Sequence, residues 1–120
     1  MIVGIGIDNV EILRIKSAME NVNFIKKLLT KKEERYWQVL PSENRKVEFL
    51  AGRWAAKEAF SKALGTGIGS SLSFQDLEIE NDNKGNPEFV KSPLLEQSVH
   101  LSISHTALEA IAFVIIEEKK

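Results

Sequence analysis

The sequence predicts an α+β fold: an N-terminal strand, several helices including one long central helix, and an antiparallel sheet. Apolar residues alternate with glycine over the first seven positions, recur at three- and four-residue steps through the first half, and gather in β-branched runs near the end. At 120 residues and 43% hydrophobic content, the chain fits one domain, 1–120. A chain of this size buries roughly two thirds of its unfolded surface, so it can form a core unaided. Cysteine is absent, which excludes a disulfide framework, a thiol nucleophile and a cysteine-built zinc site, and fits a reducing, cytoplasmic setting. The start, Met1 to Asp8, has no basic run and reaches a carboxylate after seven residues. Neither a signal peptide nor a membrane span is expected there.

Val3, Ile5 and Ile7 alternate with Gly4 and Gly6, the pattern of a strand whose glycine face admits another backbone, with Asp8 expected to end it. From Glu11 to Leu29 the apolar residues keep helical spacing, with a break expected near Asn21–Asn23. Thr30-Lys31-Lys32-Glu33 is a capping-box pattern for a short helix reaching about Leu40, before Pro41. Ser42 then caps the longest helical signal, Glu43 to Leu64, which stops at Gly65 where a C-terminal glycine belongs. A glycine-rich loop follows through Ser71. Leu77–Glu80 and Glu88–Val90 flank a turn-rich segment and read as a strand pair. Ser92-Pro93 predicts a brief helix through Ser98. Val99–Ser104 and Ala110–Ile116 read as the final strands.

The net charge of -1 conceals an uneven distribution. Ile12 to Lys62 holds twelve Lys and Arg against six Asp and Glu, whereas Asp76 to Glu118 holds two against nine. An anionic partner for the first half is therefore expected. A nucleic-acid binder is not, since such domains normally carry a basic excess overall.

On the long helix, Val47, Leu50, Ala51, Trp54, Ala55 and Ala59 form an apolar arc, and Glu58 and Lys62 fall within it. They could form a surface pair four residues apart. Charges on a core-facing stripe are costly unless paired or coordinating, however, so the arc marks a candidate site. A second apolar set, Phe49, Ala56, Phe60 and Leu64, lies opposite, and a helix apolar on two faces is expected to touch a further layer or a second subunit. Asp8 adds another carboxylate, readable either as a ligand or as a helix N-cap. The loop from Gly65 to Gly69 follows a helix C-terminus, whose dipole repels anions, so a phosphate there would need Lys62, Lys57 or Arg53 nearby.

Three blocks carry a resemblance: Gly4-Ile5-Gly6-Ile7-Asp8 with Arg14 six residues on; Phe49-Leu50-Ala51-Gly52-Arg53-Trp54-Ala55-Ala56-Lys57-Glu58-Ala59-Phe60-Ser61-Lys62-Ala63-Leu64-Gly65; and Ser102-Ile103-Ser104-His105. Over essentially its whole length the chain resembles the holo-(acyl-carrier-protein) synthase branch of the phosphopantetheinyl transferase superfamily. The resemblance implies that superfamily's fold and transfer of 4'-phosphopantetheine from coenzyme A to a serine of apo acyl carrier protein, in support of fatty acid biosynthesis. It further implies Asp8 and Glu58 as Mg²⁺ ligands, Lys62 supporting the transferring phosphoryl group, and Arg45, Arg53, Lys62, Gly65, His105 and Thr106 around the nucleotide. The serine proton is left with three candidate acceptors: Glu58, a metal-bound water or a group on the partner. A homotrimer with active sites between subunits is implied as well. The run from Arg14 to Lys32, with Lys26 and Lys27, matches an acidic carrier protein. Two other readings stay open at this point: a Mg²⁺-dependent hydrolase of nucleotide diphosphates, and a non-catalytic oligomeric module that binds coenzyme A.

Overall fold

The structure, a computed structural model, describes residues 1–119. Strand β1 (Ile2–Glu11) leads into α1 (Ile12–Ala18), α2 (Val22–Leu28), α3 (Lys31–Gln38) and the long α4 (Glu43–Leu64). A 3-10 turn at Phe74–Asp76 precedes β2 (Glu78–Asn81), β3 (Pro87–Lys91), β4 (Gln97–His105) and β5 (Glu109–Glu118). β1, β5 and β4 pair antiparallel in that order, and β2 and β3 form a separate antiparallel pair.

Alternation along the strands decides what meets α4. Ala110, Ala112, Val114 and Ile116 of the central β5 are buried, while Ile111 and Phe113 between them are exposed. On β1 the residues facing α4 are Gly4, Gly6, Asp8 and the buried Val10, one at every second position. Both glycines are required. A Cβ on Gly4 would stand 2.2 Å from the Ala63 carbonyl oxygen, and one on Gly6 would stand 1.9 Å from that of Ala59. Nearer its start, α4 crosses β4 instead, where Gly52 faces Ile103. The helix thus runs obliquely from one edge strand of the sheet to the other, and its two ends carry different side chains to the two edges.

Local signals explain the connections. Thr30 and Glu33 form a complete capping box, Ser42 accepts from the Arg45 amide, and Gly65 closes α4 at φ +93°. Glu33 also joins the layers, because its carboxylate accepts from Lys57 Nζ at 2.7 Å and from the Ile79 amide at 2.9 Å. Lys57 is fully buried and also donates to the Leu28 and Phe74 carbonyls. Burial draws its pKa below the ordinary lysine value, and Glu33 opposes that. Lys57 is therefore a core tie and not a phosphate-facing cation.

Two further expectations are corrected. β1 does not stop at Asp8, because β5 is long enough to pair with it through Glu11. No helix forms over 92–98: Ser92 Oγ accepts from the Leu94 amide, and β4 begins at Gln97. The two-faced α4 meets more than one layer, as its pattern predicts: the sheet takes one side and Phe60 packs on Phe89 on another. The exposed apolar surface lies on the outer side of the sheet instead, at Val3, Ile5, Ile7, Ile111 and Phe113.

Candidate active site

The alternation that aims Gly4 and Gly6 at α4 also aims Asp8 at it, one turn further along the helix axis from Ala59. Its side chain is 14% exposed, and Oδ1 accepts from Lys62 Nζ at 3.0 Å. Lys62 also donates to the Ile7 carbonyl at 3.1 Å. It therefore bonds across to β1 and leaves Glu58, one turn back, without a direct ion pair among the described residues. Asp8 does not cap α1, whose N-cap position is Glu11. Burial pushes the Glu58 carboxyl above its ordinary value, the Asp8 charge pushes it the same way, and Lys62 and Arg14 oppose both. Asp8, Glu58, Lys62 and Arg14 thus form one electrostatic cluster at the β1 edge, with Gly65 at the end of the same helix.

At the other edge, α4 and β4 enclose a pocket of about 200 Å³ lined by Arg45, Glu48, Phe49, Gly52, Arg53 and His105, among others. Arg53 is 6% exposed, and its guanidinium lies over the Phe49 ring at 4.3 Å. Burial lowers its pKa to about 10, so it remains a cation at neutral pH. Glu48 reaches toward both Arg45 (3.5 Å) and His105 Nδ1 (3.8 Å). Sequence reasoning missed Glu48, although its place three residues after Arg45 on one helix was the available signal. Thr106 follows His105 in the β4–β5 turn, where its hydroxyl accepts from the Leu108 and Glu109 amides.

The buried side-chain polar atoms without a hydrogen-bond partner among the described residues are Asp8 Oδ2 and Arg53 Nε. Each belongs to one of the two clusters. Buried polar atoms are nearly always satisfied, so an unmet carboxylate oxygen at one edge and an unmet guanidinium donor at the other point to a cation and an anion respectively. Within a single chain the clusters stay apart, on the two edge strands with β5 between them.

A third surface lies over α1 and α2. Arg14, Ile15, Ala18, Phe24, Lys27, Leu28, Trp54 and Phe74 line a pocket of about 290 Å³. Its floor is aromatic, with Trp54 between Phe24 and Phe74, and Arg14 lies over Trp54 at 5.5 Å. Lys26 and Lys27 are exposed on the last turn of α2, and Lys26 reaches Glu34 at 3.5 Å.

Residues 4–114 match the sequence pattern of the 4'-phosphopantetheinyl transferase superfamily. The chain belongs to that superfamily. Among phosphopantetheinyl transferases, it is 54% identical over 119 residues to a holo-[acyl-carrier-protein] synthase of Lactococcus lactis subsp. cremoris, covering 98% of this chain and 99% of the relative. A holo-[acyl-carrier-protein] synthase of Bacillus subtilis is 52% identical over 119 residues, covering 98% and 97%. The fold matches that of a Bacillus anthracis holo-(acyl-carrier-protein) synthase solved in complex with CoA (3',5'-ADP), with a TM-score of 0.91, 47% identity and 99% of each chain covered. A Helicobacter pylori holo-[acyl-carrier-protein] synthase in complex with coenzyme A superposes with a TM-score of 0.82 at 37% identity, covering 94% of this chain and 99% of that one.

Proposed function

We propose that this phosphopantetheinyl transferase, acting as a single domain over 1–120, moves 4'-phosphopantetheine from coenzyme A to a serine hydroxyl of apo acyl carrier protein. Adenosine 3',5'-bisphosphate leaves, and the product serves fatty acid biosynthesis. The observation that carries the reading is the cluster at the β1 edge, where Asp8 keeps one buried carboxylate oxygen free beside Glu58 and Lys62.

The donor set fits Mg²⁺. Among the described residues no group of three or more His, Asp or Glu side chains converges on a metal position, and Mg²⁺ is commonly held by one or two carboxylates with substrate phosphates and water completing its shell. Asp8 and Glu58 would hold the ion, which when bound would offset charge on the pyrophosphate and the leaving 5'-phosphate. Lys62 has three N–H donors, two of them engaged by Asp8 and Ile7, and is 53% exposed. Its remaining donor and its charge are available to the transferring phosphoryl group. The serine must lose a proton, and Glu58 is a candidate acceptor within the chain. Phosphoryl chemistry of this kind rests mainly on positioning and charge.

Arg45, Arg53 and His105, with Thr106 beside them, would take the nucleotide's anionic end, and Gly65 would border it from the Asp8 edge. Because these groups sit at the opposite edge from Asp8, a complete site is best formed between subunits of a homotrimer. The outer sheet face supports assembly: Ile5 and Ile7 are 58% and 60% exposed beside Ile111 and Phe113. The basic surface with Arg14, Lys26 and Lys27 would receive the acidic carrier. A cytoplasmic location accords with the cysteine-free composition, and among the described residues no helix is long and apolar enough to cross a membrane.

Chromatographic detection of adenosine 3',5'-bisphosphate tests the reaction type. Release that depends on both Mg²⁺ and apo carrier supports transfer, and release at the same rate without carrier supports a hydrolase.

A further inference from the structure

Helix α2 has seven residues, too few to persist on propensity alone. Its last carbonyls have no donor within the helix beyond Ile25 O, which takes the Leu29 amide at 2.9 Å. Three of the next four are met by side chains from elsewhere. Gln75 Nε2 donates to Lys26 O at 2.7 Å and to Leu29 O at 2.5 Å, with Lys27 O at 3.5 Å. Lys57 Nζ donates to Leu28 O at 2.8 Å, placing a cation where the helix dipole favours one.

Gln75 is well placed for this. It sits on the 3-10 turn beside the buried Phe74, whose ring packs on Trp54 in the floor of the α1–α2 pocket. Lys91 Nζ donates to its backbone carbonyl at 3.0 Å and fixes the turn from β3. The residues on α2 that border this connection are Lys26, whose carbonyl Gln75 holds, and Lys27, and both side chains face solvent.

We propose that Gln75 is a positioning residue for carrier-protein recognition: its amide holds the end of α2 against the pocket floor, so that Lys26, Lys27 and Arg14 meet the acidic partner in one arrangement. This rests on the reading of α1 and α2 as the docking surface. Gln75 is itself exposed, so losing its amide frees α2 locally and leaves the Lys57–Glu33 core tie in place.

The test compares Gln75→Met, which keeps the side-chain length and removes both donors, with the parent enzyme on apo carrier and coenzyme A. The KM for carrier is expected to rise about fivefold, as loss of one or two neutral hydrogen bonds would produce. The KM for coenzyme A, kcat and the melting temperature should stay at parent values, and α2 amides should exchange faster with deuterium. Lys26→Glu with Lys27→Glu is measured alongside. If that double variant raises the carrier KM and Gln75→Met does not, the positioning role is overturned and the docking surface stands. If neither changes the carrier KM, the docking surface falls and this inference with it. A coenzyme A KM or kcat that moves as much as the carrier KM also overturns it.

Discussion

Asp8, Glu58 and Lys62 illustrate how one residue's chemistry is set by its neighbours. Glu58 stays protonated to higher pH in the fold than in the unfolded chain. Between those two values the folded chain binds more protons than the unfolded one, so its stability falls as pH rises through the window. In metal-free buffer Glu58→Gln should therefore raise the melting temperature at pH 7 and lose that advantage as pH falls below the ordinary glutamate value, where the parent carboxyl is protonated in both states. A variant that melts lower at pH 7 contradicts a Glu58 carboxyl raised by burial and the Asp8 charge. Lys62 is expected to act on charge that develops during transfer, so Lys62→Ala should lower kcat more than it weakens coenzyme A binding. Steady-state kinetics with a separate titration of coenzyme A distinguishes this from ground-state binding, for which affinity falls and kcat holds.

At the scale of elements, β1 and α4 make the site through their contact. The glycines at positions 4 and 6 bring the α4 backbone against β1, and the same two-residue period brings Asp8 to Lys62. Gly6→Ala is expected to destabilise the protein by more than the ~1–3 kcal/mol typical of overpacking, because the added carbon meets backbone that cannot rotate away. Urea unfolding measures this, and a midpoint unchanged from the parent would contradict the packing. Much of this contact was legible in the sequence: the Gly-Ile-Gly-Ile alternation, the capping box at Thr30, and Ser42 and Gly65 bounding α4 are local signals with local causes. What could not be read locally depends on distant partners. β5 draws β1 past Asp8 to Glu11, and the buried Glu33 makes a core tie of Lys57, which sequence alone left as a possible phosphate contact. The Lys26 and Leu29 carbonyls at the end of α2 likewise reveal their need for Gln75 only once the chain is folded.

At the scale of the whole molecule, the two edges of one sheet carry what we propose as complementary halves of a site: among the described residues, an unmet carboxylate oxygen on β1 and an unmet guanidinium donor beside β4. The family resemblance named the candidate residues of both halves, whereas their separation within one chain emerged only from the strand order β1-β5-β4. If subunits share sites, Asp8→Asn and Arg53→Ala proteins, each inactive alone, should recover activity when mixed under conditions that exchange subunits. Each mixed assembly then contains some interfaces with both halves intact. A mixture as inactive as its components would place the whole site within one chain.

The central claim is transfer of phosphopantetheine supported by Asp8 and Glu58, and the most direct measurement is the intact mass of an apo acyl carrier protein after incubation with this protein, coenzyme A and Mg²⁺. A gain of one phosphopantetheine group on the carrier is predicted, lost on removal of Mg²⁺ and in the Asp8→Ala and Glu58→Ala variants, both still folded by circular dichroism. An unchanged carrier mass with the parent protein, or full modification by either variant, would contradict it.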